Sequence, residues 1–328
     1  MSERTYAAGA TERQAAIHTV AEMPETGWAY QDGEFKALAD AHVSIATHAL
    51  NYGTAVFEGI RAYWNERDEQ LYVFRLREHF ERMAQSCRIL RIRLPGDADA
   101  LAAITVELLR RDQMRTDAYV RPLAYKAART IKVALRDLRD GFSMYAFPLG
   151  AYLPLSGLTA KTTSWHRIAD SALPARGKIT GAYVNTALAD DDAYESGADE
   201  AIFLTAGGQV SEGGSSNVFM VRDGELVTPP GTDDILEGIT RASVMTLARE
   251  DLGLQVAVRS IDRTELYVAD EIFFTGTGAQ VAPCVTIDRR PVGDGTVGPV
   301  SRALADRYTA IARGDDERHP EWRTPVYR

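Results

Sequence analysis

The sequence is short of several residue types, and each shortage excludes a class of protein. It has only two cysteines in 328 residues, Cys87 and Cys284, which is too few for a disulfide framework and matches no metal-binding spacing. No stretch approaches the roughly 20 apolar residues of a membrane-spanning helix, and the first residues lack the apolar run of a signal peptide. The sequence therefore predicts a cytoplasmic protein with no membrane segment and no metal site.

Positive charge is also in the minority. The chain has 37 lysines and arginines against 46 aspartates and glutamates, giving a net charge of -9 at pH 7. Since no basic stripe stands out, nucleic acid is not expected as a partner. The composition, 45% hydrophobic and 25% charged, is that of a globular protein long enough for two domains. Small molecules therefore become the expected partners.

Lysine is the scarcest charged residue, and one lysine has an unusual setting. Only five of the basic residues are lysines, and Lys178 lies between Gly177 and Gly181, five residues before Tyr183. Unlike arginine, a lysine can lose its proton and attack a carbonyl. An average lysine is only a surface charge. The apolar and glycine-rich flanks make a nucleophile and a surface charge about equally good interpretations of Lys178 alone.

Periodicity and turn residues predict a mixture of helices and strands. The glycine-rich and aromatic residues 48–61 predict either a close approach of the backbone to another segment or a loop that lines a pocket. Apolar residues at spacings of three and four predict a helix with Arg82 at its polar margin; they are Leu76, Phe80, Met83, Cys87 and Leu90. Further helices are predicted at 98–111, at 184–195 and opening within 236–241. Strands are predicted at 28–31, 34–36, 118–125, 143–147, 201–205, 218–221, 225–227, 254–258 and 272–275.

Composition also predicts where the chain divides. Residues 153–163 are rich in proline, glycine, serine and threonine, as expected of a linker. We therefore predict a smaller N-terminal α+β domain over 1–153, a linker over 154–163 and a larger C-terminal domain over 164–328 that carries Lys178. The sheet of the larger domain is expected to be closed or barrel-like.

Several residues can be tied to one chemical task. A lysine that forms a Schiff base needs an aldehyde, which pyridoxal phosphate commonly supplies. The phosphate of that cofactor suits an arginine and a helix N-terminus, which Arg82, residues 238–240 and the turn at 276–277 offer. Its ring nitrogen needs a carboxylate, such as Glu212. Taken singly, Arg82 fits a surface arginine and Glu212 a solvated turn, so only their joint occurrence is informative.

Motifs in consistent order make the sequence recognisable. From Trp28 to Arg328 it resembles the fold-type IV pyridoxal-phosphate enzymes, and most closely the branched-chain amino acid aminotransferases. The matching motifs are residues 52–61, 74–83, 119–122, 150–153, 178–183, 211–213, 238–241 and 276–277. The resemblance implies an α/β (α+β) fold of two domains, with the cofactor at their interface, and a homodimer as the smallest assembly.

The resemblance also implies how pyridoxal 5'-phosphate is held. Lys178 would bind the cofactor aldehyde and carry a proton between the substrate and the cofactor. Glu212 would pair with the ring nitrogen, and Tyr183 would hydrogen-bond the ring hydroxyl. The phosphate would be held by Arg82, Ile239, Thr240 and Thr277, with Leu236 packed against the ring.

The implied substrates are branched-chain L-amino acids and their 2-oxo acids, with 2-oxoglutarate as the second amino acceptor. An apolar aromatic pocket would hold the side chain, and an arginine and backbone amides the carboxylate. The pocket residues implied are Phe57, Gly59, Tyr119 and Tyr152, with Tyr52 from a neighbouring subunit. The carboxylate would lie near Arg121, Tyr119, Thr277, Gly278 and Ala279.

Other interpretations remain open at this point. A D-amino acid aminotransferase, an aminodeoxychorismate lyase or an (R)-amine transaminase of the same fold would use the same lysine and glutamate. A non-catalytic protein could keep the fold without the reaction. The segment 129–133 departs from the glycine-containing, apolar loop that the family often has there, and its Arg129 and Lys132 either alter the substrate range or are simply solvated.

Overall fold

The computed structural model describes residue 23, residues 25–150 and residues 156–327. These residues form two compact units. The N-terminal unit comprises the described residues up to Gly150, the segment Pro174–Tyr183 and the residues from Arg307 on. The C-terminal unit comprises residues 156–173 and the segment Val184–Asp306. The segment that carries Lys178 therefore belongs, by its contacts, to the N-terminal unit.

Most of the described elements are strands, with single helices or helix pairs between groups of them. In order they are β1 (Trp28–Gln31), β2 (Glu34–Ala37), α1 (His48–Tyr52), β3 (Ala55–Phe57), β4 (Ile60–Asn65), β5 (Gln70–Phe74), α2 (Leu76–Leu90), α3 (Ala98–Arg111), β6 (Ala118–Lys126), β7 (Asp140–Pro148), β8 (Leu158–His166), α4 (Tyr183–Glu195), β9 (Glu200–Leu204), β10 (Val210–Gly213), β11 (Asn217–Arg222), β12 (Glu225–Thr228), α5 (Ile239–Glu250), β13 (Val256–Val258), β14 (Glu271–Gly276), β15 (Gln280–Ile287), β16 (Arg290–Pro291), α6 (Pro299–Arg313) and β17 (Arg323–Pro325). Short 3-10 helices lie at Leu38–Asp40, Thr180–Ala182, Arg263–Tyr267 and Pro320–Trp322.

The N-terminal unit is built on an eight-stranded sheet. Its strand order is β17-β5-β4-β6-β7-β1-β2, with β3 also paired to β6. Two helices have apolar faces that are buried, because their apolar residues recur at helical spacing. The predicted stripe of α2 is buried along its length. The helix α3 begins after Asp97, whose carboxylate accepts a hydrogen bond from the Ala100 amide, a normal N-terminal cap.

The C-terminal unit is built on a nine-stranded mixed sheet. Its order is β10-β9-β8-β15-β14-β11-β12-β13, with β16 paired to β15. The pairs β8–β9, β8–β15 and β12–β13 are parallel. Within the described residues this order has two ends, β10 and β13. The prediction of a closed sheet was therefore wrong, because the first and last of the described strands in this order are not paired with each other. The core is formed by buried side chains of the open sheet.

Most predicted elements are confirmed, including two hairpins. At Asp32-Gly33 and Asp223-Gly224 both residues have positive φ angles, as a two-residue hairpin turn requires. Of the two interpretations of residues 48–61, the loop was wrong, because the segment contains α1, β3 and the start of β4. The close backbone approach is confirmed at Gly53, where a Cβ would lie 2.9 Å from the Cα of Gly181. Within the predicted linker, residues from Leu158 on belong to β8, and residues 151–155 lie outside the described part. The predicted domain boundaries stay a prediction.

Two features are absent from the described residues. No helix among them is long and apolar enough to cross a membrane. The same residues contain no group of three or more histidine, cysteine, aspartate or glutamate side chains placed to hold a metal ion.

Candidate functional site

The segment that carries Lys178 is fixed on both sides by the N-terminal unit. The Lys178 amide donates to Ser86 Oγ on α2 at 3.1 Å, and the Lys178 carbonyl accepts from the Phe57 amide at 3.1 Å. A close backbone contact follows, since a Cβ on Gly53 would lie 2.9 Å from the Cα of Gly181. The glycines around Lys178 therefore permit a backbone approach that other residues would prevent.

The Lys178 amine points at the tyrosine predicted to work with it. Its Nζ donates to the Tyr183 hydroxyl at 2.5 Å. The ring of Phe57 packs against both side chains: its centre is 4.7 Å from Lys178 Nζ and 4.8 Å from the centre of the Tyr183 ring. The structure thus brings together three residues that the sequence assigned to one site.

Arg82 is held by a buried carboxylate that the sequence did not single out. Its Nε donates to Glu58 Oε1 at 2.8 Å and its Nη2 to Oε2 at 2.7 Å, while His79 Nδ1 lies 2.8 Å from Oε2. The expectation that Arg82 lies at the polar margin of its helix was wrong, because Arg82 is buried. Inward placement is tolerated here because a bidentate carboxylate compensates the charge.

The charges of this buried group follow from its contacts. Burial raises the pKa of Glu58, but Arg82 and His79 outweigh that effect and bring the pKa down to about 2. Burial lowers the pKa of the Arg82 guanidinium, and the Glu58 carboxylate more than offsets this, so that the net shift is upward. Burial also lowers the pKa of His79. Arg82 and Glu58 are therefore both charged at neutral pH.

The predicted substrate residues of this unit also lie together. Arg121 Nη2 donates to the Tyr119 hydroxyl at 3.0 Å, and the guanidinium carbon lies 4.5 Å from the centre of the Phe57 ring. Among the described residues, Arg121 Nε is buried without a hydrogen-bond partner. A Cβ built on Gly59 would overlap the Tyr119 hydroxyl. The side chains of Phe57, Tyr119 and Arg121 therefore form a cationic, aromatic cluster beside Gly59.

Tyr52 lies on α1, beside the segment 129–133. Its hydroxyl donates to the Ile131 carbonyl at 2.8 Å, and His48 Nε2 lies 3.1 Å from the Lys132 carbonyl. Arg129 forms an isolated β-bridge with Thr47. The segment that departs from the family pattern is therefore tied to the segment that carries Tyr52.

In the C-terminal unit, Glu212 lies on β10 and is buried rather than placed in a solvated turn. Its Oε1 lies 2.7 Å from Arg167 Nη2. Its Oε2 accepts hydrogen bonds from Asn217 Nδ2 and from the Leu236 amide, both at 3.0 Å. An arginine and two N–H donors around a buried carboxylate favour its ionised form.

At the start of α5, backbone amides are left open for an acceptor. Its N-cap residue, Gly238, provides no side-chain hydrogen bond to the first turn, so the amides of Ile239 and Thr240 are left for another acceptor. A Cβ on Gly238 would overlap Asn217 Oδ1. Asn217 also donates to the Leu236 carbonyl at 2.8 Å. Asn217 therefore links the Glu212 carboxylate to this helix start.

The remaining predicted residues connect two strands of the same sheet. Thr277, Gly278 and Ala279 lie between β14 and β15 and are partly buried. A Cβ on the preceding Gly276 would lie 3.3 Å from the Ser215 carbonyl, near the end of β10. These three residues therefore lie close to the segment that follows Glu212. Tyr152 lies outside the described residues.

Sequence reasoning missed four residues of these networks: Glu58, His79, Arg167 and Asn217. Glu58 and His79 were inside recognised motifs but had no assigned role. Arg167 follows Trp165 and His166 without any periodic pattern. Because a buried charge needs a partner, the sequence indicates that partners of this kind exist. It does not indicate which residues they are.

Comparison with known proteins gives a consistent result. The family model for amino-transferase class IV matches residues 55–287. A protein from Aquifex aeolicus named "Probable branched-chain-amino-acid aminotransferase" is 44% identical over 301 residues, covering 92% of this chain and 97% of that protein. The predicted family, fold class and enzyme class are thereby confirmed.

Solved structures agree with this result. The branched-chain aminotransferase of Thermoproteus uzoniensis, crystallised with norvaline, has a TM-score of 0.88 and 42% identity, covering 92% of this chain and 100% of that one. The branched-chain amino acid aminotransferase of T.th., complexed with N-(5'-phosphopyridoxyl)-L-glutamate, has a TM-score of 0.88 and 40% identity, covering 92% and 99%.

Proposed function

Since this chain belongs to the amino-transferase class IV family, we propose that it transfers amino groups between branched-chain L-amino acids and 2-oxoglutarate, with pyridoxal 5'-phosphate as cofactor. The observation that carries the proposal is the 2.5 Å hydrogen bond between Lys178 Nζ and the Tyr183 hydroxyl. The aldehyde and the hydroxyl of pyridoxal phosphate occupy neighbouring ring positions. An amine and a phenol side by side therefore suit that pair of groups.

The other donors suit the rest of the cofactor. Arg82 is a permanently charged guanidinium, and the uncapped start of α5 offers amides, a combination that favours a phosphate. We assign the phosphate to Arg82, Ile239, Thr240 and Thr277. Glu212, an ionised carboxylate, suits a protonated ring nitrogen, and Leu236 suits the apolar ring face.

When bound, pyridoxal phosphate supplies an electron-withdrawing ring that makes the substrate α-proton easier to remove. Lys178 would hold the cofactor through its side-chain amine. When free, the same amine would accept the proton of the substrate α-carbon and return it as a general acid. Tyr183 orients the amine through the hydrogen bond already present.

The substrate side chain and carboxylate are matched by different residues. Phe57, Tyr119 and Tyr152 would form an apolar wall for a branched aliphatic chain, with space left by Gly59. Arg121 would bind the carboxylate, since its buried Nε has no partner among the described residues. The turn at Thr277, Gly278 and Ala279 would add backbone amides. The norvaline and glutamate compounds in the two related structures are consistent with both substrate types.

We further propose that the functional unit is a homodimer in which Tyr52 serves the partner's site. Support comes from an exposed apolar patch on the N-terminal unit, formed by Val43, Ile45, Leu50, Ile131 and Val133. Ile45, Ile131 and Val133 are each more than three-quarters exposed, which is unusual for an isolated surface. The hydrogen bond from Tyr52 to Ile131 places Tyr52 at this patch.

A spectral titration tests the proposed reaction. Purified protein with bound pyridoxal phosphate is mixed separately with L-leucine, D-alanine and (R)-1-phenylethylamine, and the visible absorbance is followed. L-leucine should remove the absorbance band and 2-oxoglutarate should restore it. A response to D-alanine with none to L-leucine, L-isoleucine or L-valine would contradict the proposal. A response to the amine would extend the substrate range to (R)-primary amines.

The role of Lys178 has a matched control. Lys178→Ala should abolish the absorbance band and the amino-group exchange together. Lys161→Ala removes a lysine that is paired instead with Asp192 at 2.8 Å, and it should retain both. Turnover that survives in Lys178→Ala would overturn the assignment.

A further inference from the structure

Arg167 contacts the carboxylate that we assign to the cofactor ring. Its Nη2 lies 2.7 Å from Glu212 Oε1, and both side chains are nearly buried. The other Glu212 oxygen accepts from Asn217 and from the Leu236 amide. The two oxygens of Glu212 therefore have separate partners, and Arg167 brings a positive charge to one of them.

The position of Arg167 is fixed by its surroundings. Its backbone amide donates to the Leu204 carbonyl at 2.9 Å, and its guanidinium carbon lies 5.4 Å from the centre of the Phe203 ring. Its Nη1 is buried and has no hydrogen-bond partner among the described residues. Arg167 forms an ion pair with Glu212.

Burial makes this pairing consequential for the cofactor. A buried carboxylate with no nearby cation favours its neutral, protonated form. A protonated Glu212 would compete with the ring nitrogen for the proton that the nitrogen must keep in order to withdraw electrons. An arginine at 2.7 Å shifts the balance towards the ionised carboxylate. It also restricts the position of Glu212 Oε1, because this oxygen lies against the positive charge of Arg167.

From this geometry we propose that Arg167 is a positioning residue that keeps Glu212 ionised and oriented towards the protonated ring nitrogen of the cofactor. The inference rests on the proposed function, in which Glu212 holds that nitrogen. Arg167 itself acts through Glu212. A purely structural arginine would instead stabilise the fold without altering the cofactor.

Three variants separate these roles. Arg167→Gln removes the charge, Arg167→Lys keeps the charge but not the planar geometry, and Glu212→Gln removes the carboxylate. Arg222→Gln is the matched control, because Arg222 forms an arginine–glutamate pair of similar length, 2.9 Å, with Glu265 and has no assigned role. For each variant, the stability of the cofactor-free protein, the dissociation constant of pyridoxal phosphate and the visible absorbance maximum are measured.

Arg167→Gln should raise the dissociation constant of pyridoxal phosphate about 10-fold or more, and should move the absorbance maximum in the same direction as Glu212→Gln. Arg167→Lys should recover part of both effects, and Arg222→Gln should show neither. In the Glu212→Gln background, Arg167→Gln should alter the affinity for pyridoxal phosphate less than about 2-fold, because the effects of changing two interacting residues are not additive. If Arg167→Gln does not fold, the same comparison is made with Arg167→Lys.

The outcomes that contradict the inference are distinct from those that contradict the function. Wild-type affinity and spectrum in Arg167→Gln, or effects that multiply with those of Glu212→Gln, overturn the role of Arg167 and leave the function standing. Wild-type behaviour in Glu212→Gln overturns the role of Glu212 and that of Arg167 with it. Failure of the wild-type protein to bind pyridoxal phosphate overturns the proposed function itself.

Discussion

Glu58 holds Arg82 through two parallel hydrogen bonds of 2.8 and 2.7 Å in the buried part of the N-terminal unit. Glu58 lies between Phe57 and Gly59, whereas Arg82 lies on α2. The ion pair therefore ties the strand end that carries two predicted substrate residues to the helix that carries the predicted phosphate ligand. Glu58 determines where the guanidinium of Arg82 can point.

Replacing Glu58 tests this connection. Glu58→Gln leaves Arg82 buried without its counter-ion, which should lower the free energy of unfolding by about 3 kcal/mol and weaken the binding of pyridoxal phosphate. Urea denaturation of the cofactor-free protein and a cofactor titration measure the two effects. Glu78→Gln is the control: Glu78 pairs with Arg75 at 2.8 Å but is more exposed, so its loss should cost less than about 1 kcal/mol. Equal stability of the two variants would contradict the importance of the buried pair.

Gly59 is required because Tyr119 occupies the space next to it. Gly59→Ala should displace the Tyr119 hydroxyl, break its hydrogen bond with Arg121 and cost about 1–3 kcal/mol through overpacking. Steady-state kinetics should show a KM for L-leucine that rises more than kcat falls. In a Tyr119→Ala background the same change should cost much less, because the overlapping atoms are gone. Identical costs in both backgrounds would show that the overlap with Tyr119 is not the cause.

The sequence predicted the features that depend on interactions between residues close together in the chain. The helices at 76–90 and 98–111 and the two Asp-Gly hairpins follow from local periodicity and turn chemistry, and the structure confirms them. For residues 48–61 the loop interpretation was wrong, whereas the alternative of a close backbone approach is confirmed, because Gly53 lies against Gly181. Family motifs supplied the site residues, and the structure brings together Lys178, Tyr183 and Phe57.

The buried charge pairs were beyond local reasoning. Nothing in the residues near Glu58 indicates that its partners are His79 and Arg82, and nothing near Arg167 indicates Glu212. Such pairs depend on which strands and helices become neighbours, which is a property of the whole fold. Sequence patterns report the burial tendency of a residue, whereas the identity of its partner requires the tertiary structure.

Glu200 gives a pH-dependent prediction. It lies on β9, its Oε1 accepts hydrogen bonds from the Gly214 and Ala201 amides at 2.9 and 3.0 Å, and burial raises its pKa to about 7. Between about pH 4.5 and 7 the folded state therefore binds more protons than the unfolded state. The stability that this group contributes is fully present below about pH 4.5 and is lost as the pH rises through 7.

Glu200→Gln removes this titration. The free energy of unfolding of the variant, minus that of the wild type, should increase by about 2 kcal/mol from pH 5 to pH 8. Urea denaturation of the cofactor-free proteins measures both free energies. Glu195→Gln, at an exposed position on α4, should show the same relative stability at both pH values. A relative stability of Glu200→Gln that does not change with pH would contradict the raised pKa.

The exposed apolar patch predicts how the homodimer can be separated. Ile131→Asp places a charge on a residue that is 90% exposed, so it should not disturb the fold of the subunit. It should raise the dissociation constant of the dimer by at least about 10-fold if the patch is buried against the partner. Analytical ultracentrifugation measures this. Val268→Asp, at an exposed apolar residue of the C-terminal unit, is the control, and equal effects of the two changes would argue against the patch as the contact.

Tyr183 provides the most direct test of the hydrogen bond with Lys178. Tyr183→Phe keeps the ring that packs against Phe57 but removes the hydroxyl that accepts from Lys178 Nζ. A hydrogen bond to a charged group contributes about 1.5–3 kcal/mol, so kcat/KM for L-leucine should fall about 10- to 100-fold. Tyr267→Phe removes a hydroxyl that donates to Asp288 at 2.6 Å and should leave kcat/KM unchanged. Because the Phe57 contact is retained in Tyr183→Phe, a large loss of thermal stability would indicate that the hydroxyl supports the fold, whereas a kinetic loss at unchanged stability assigns it to the Lys178 amine.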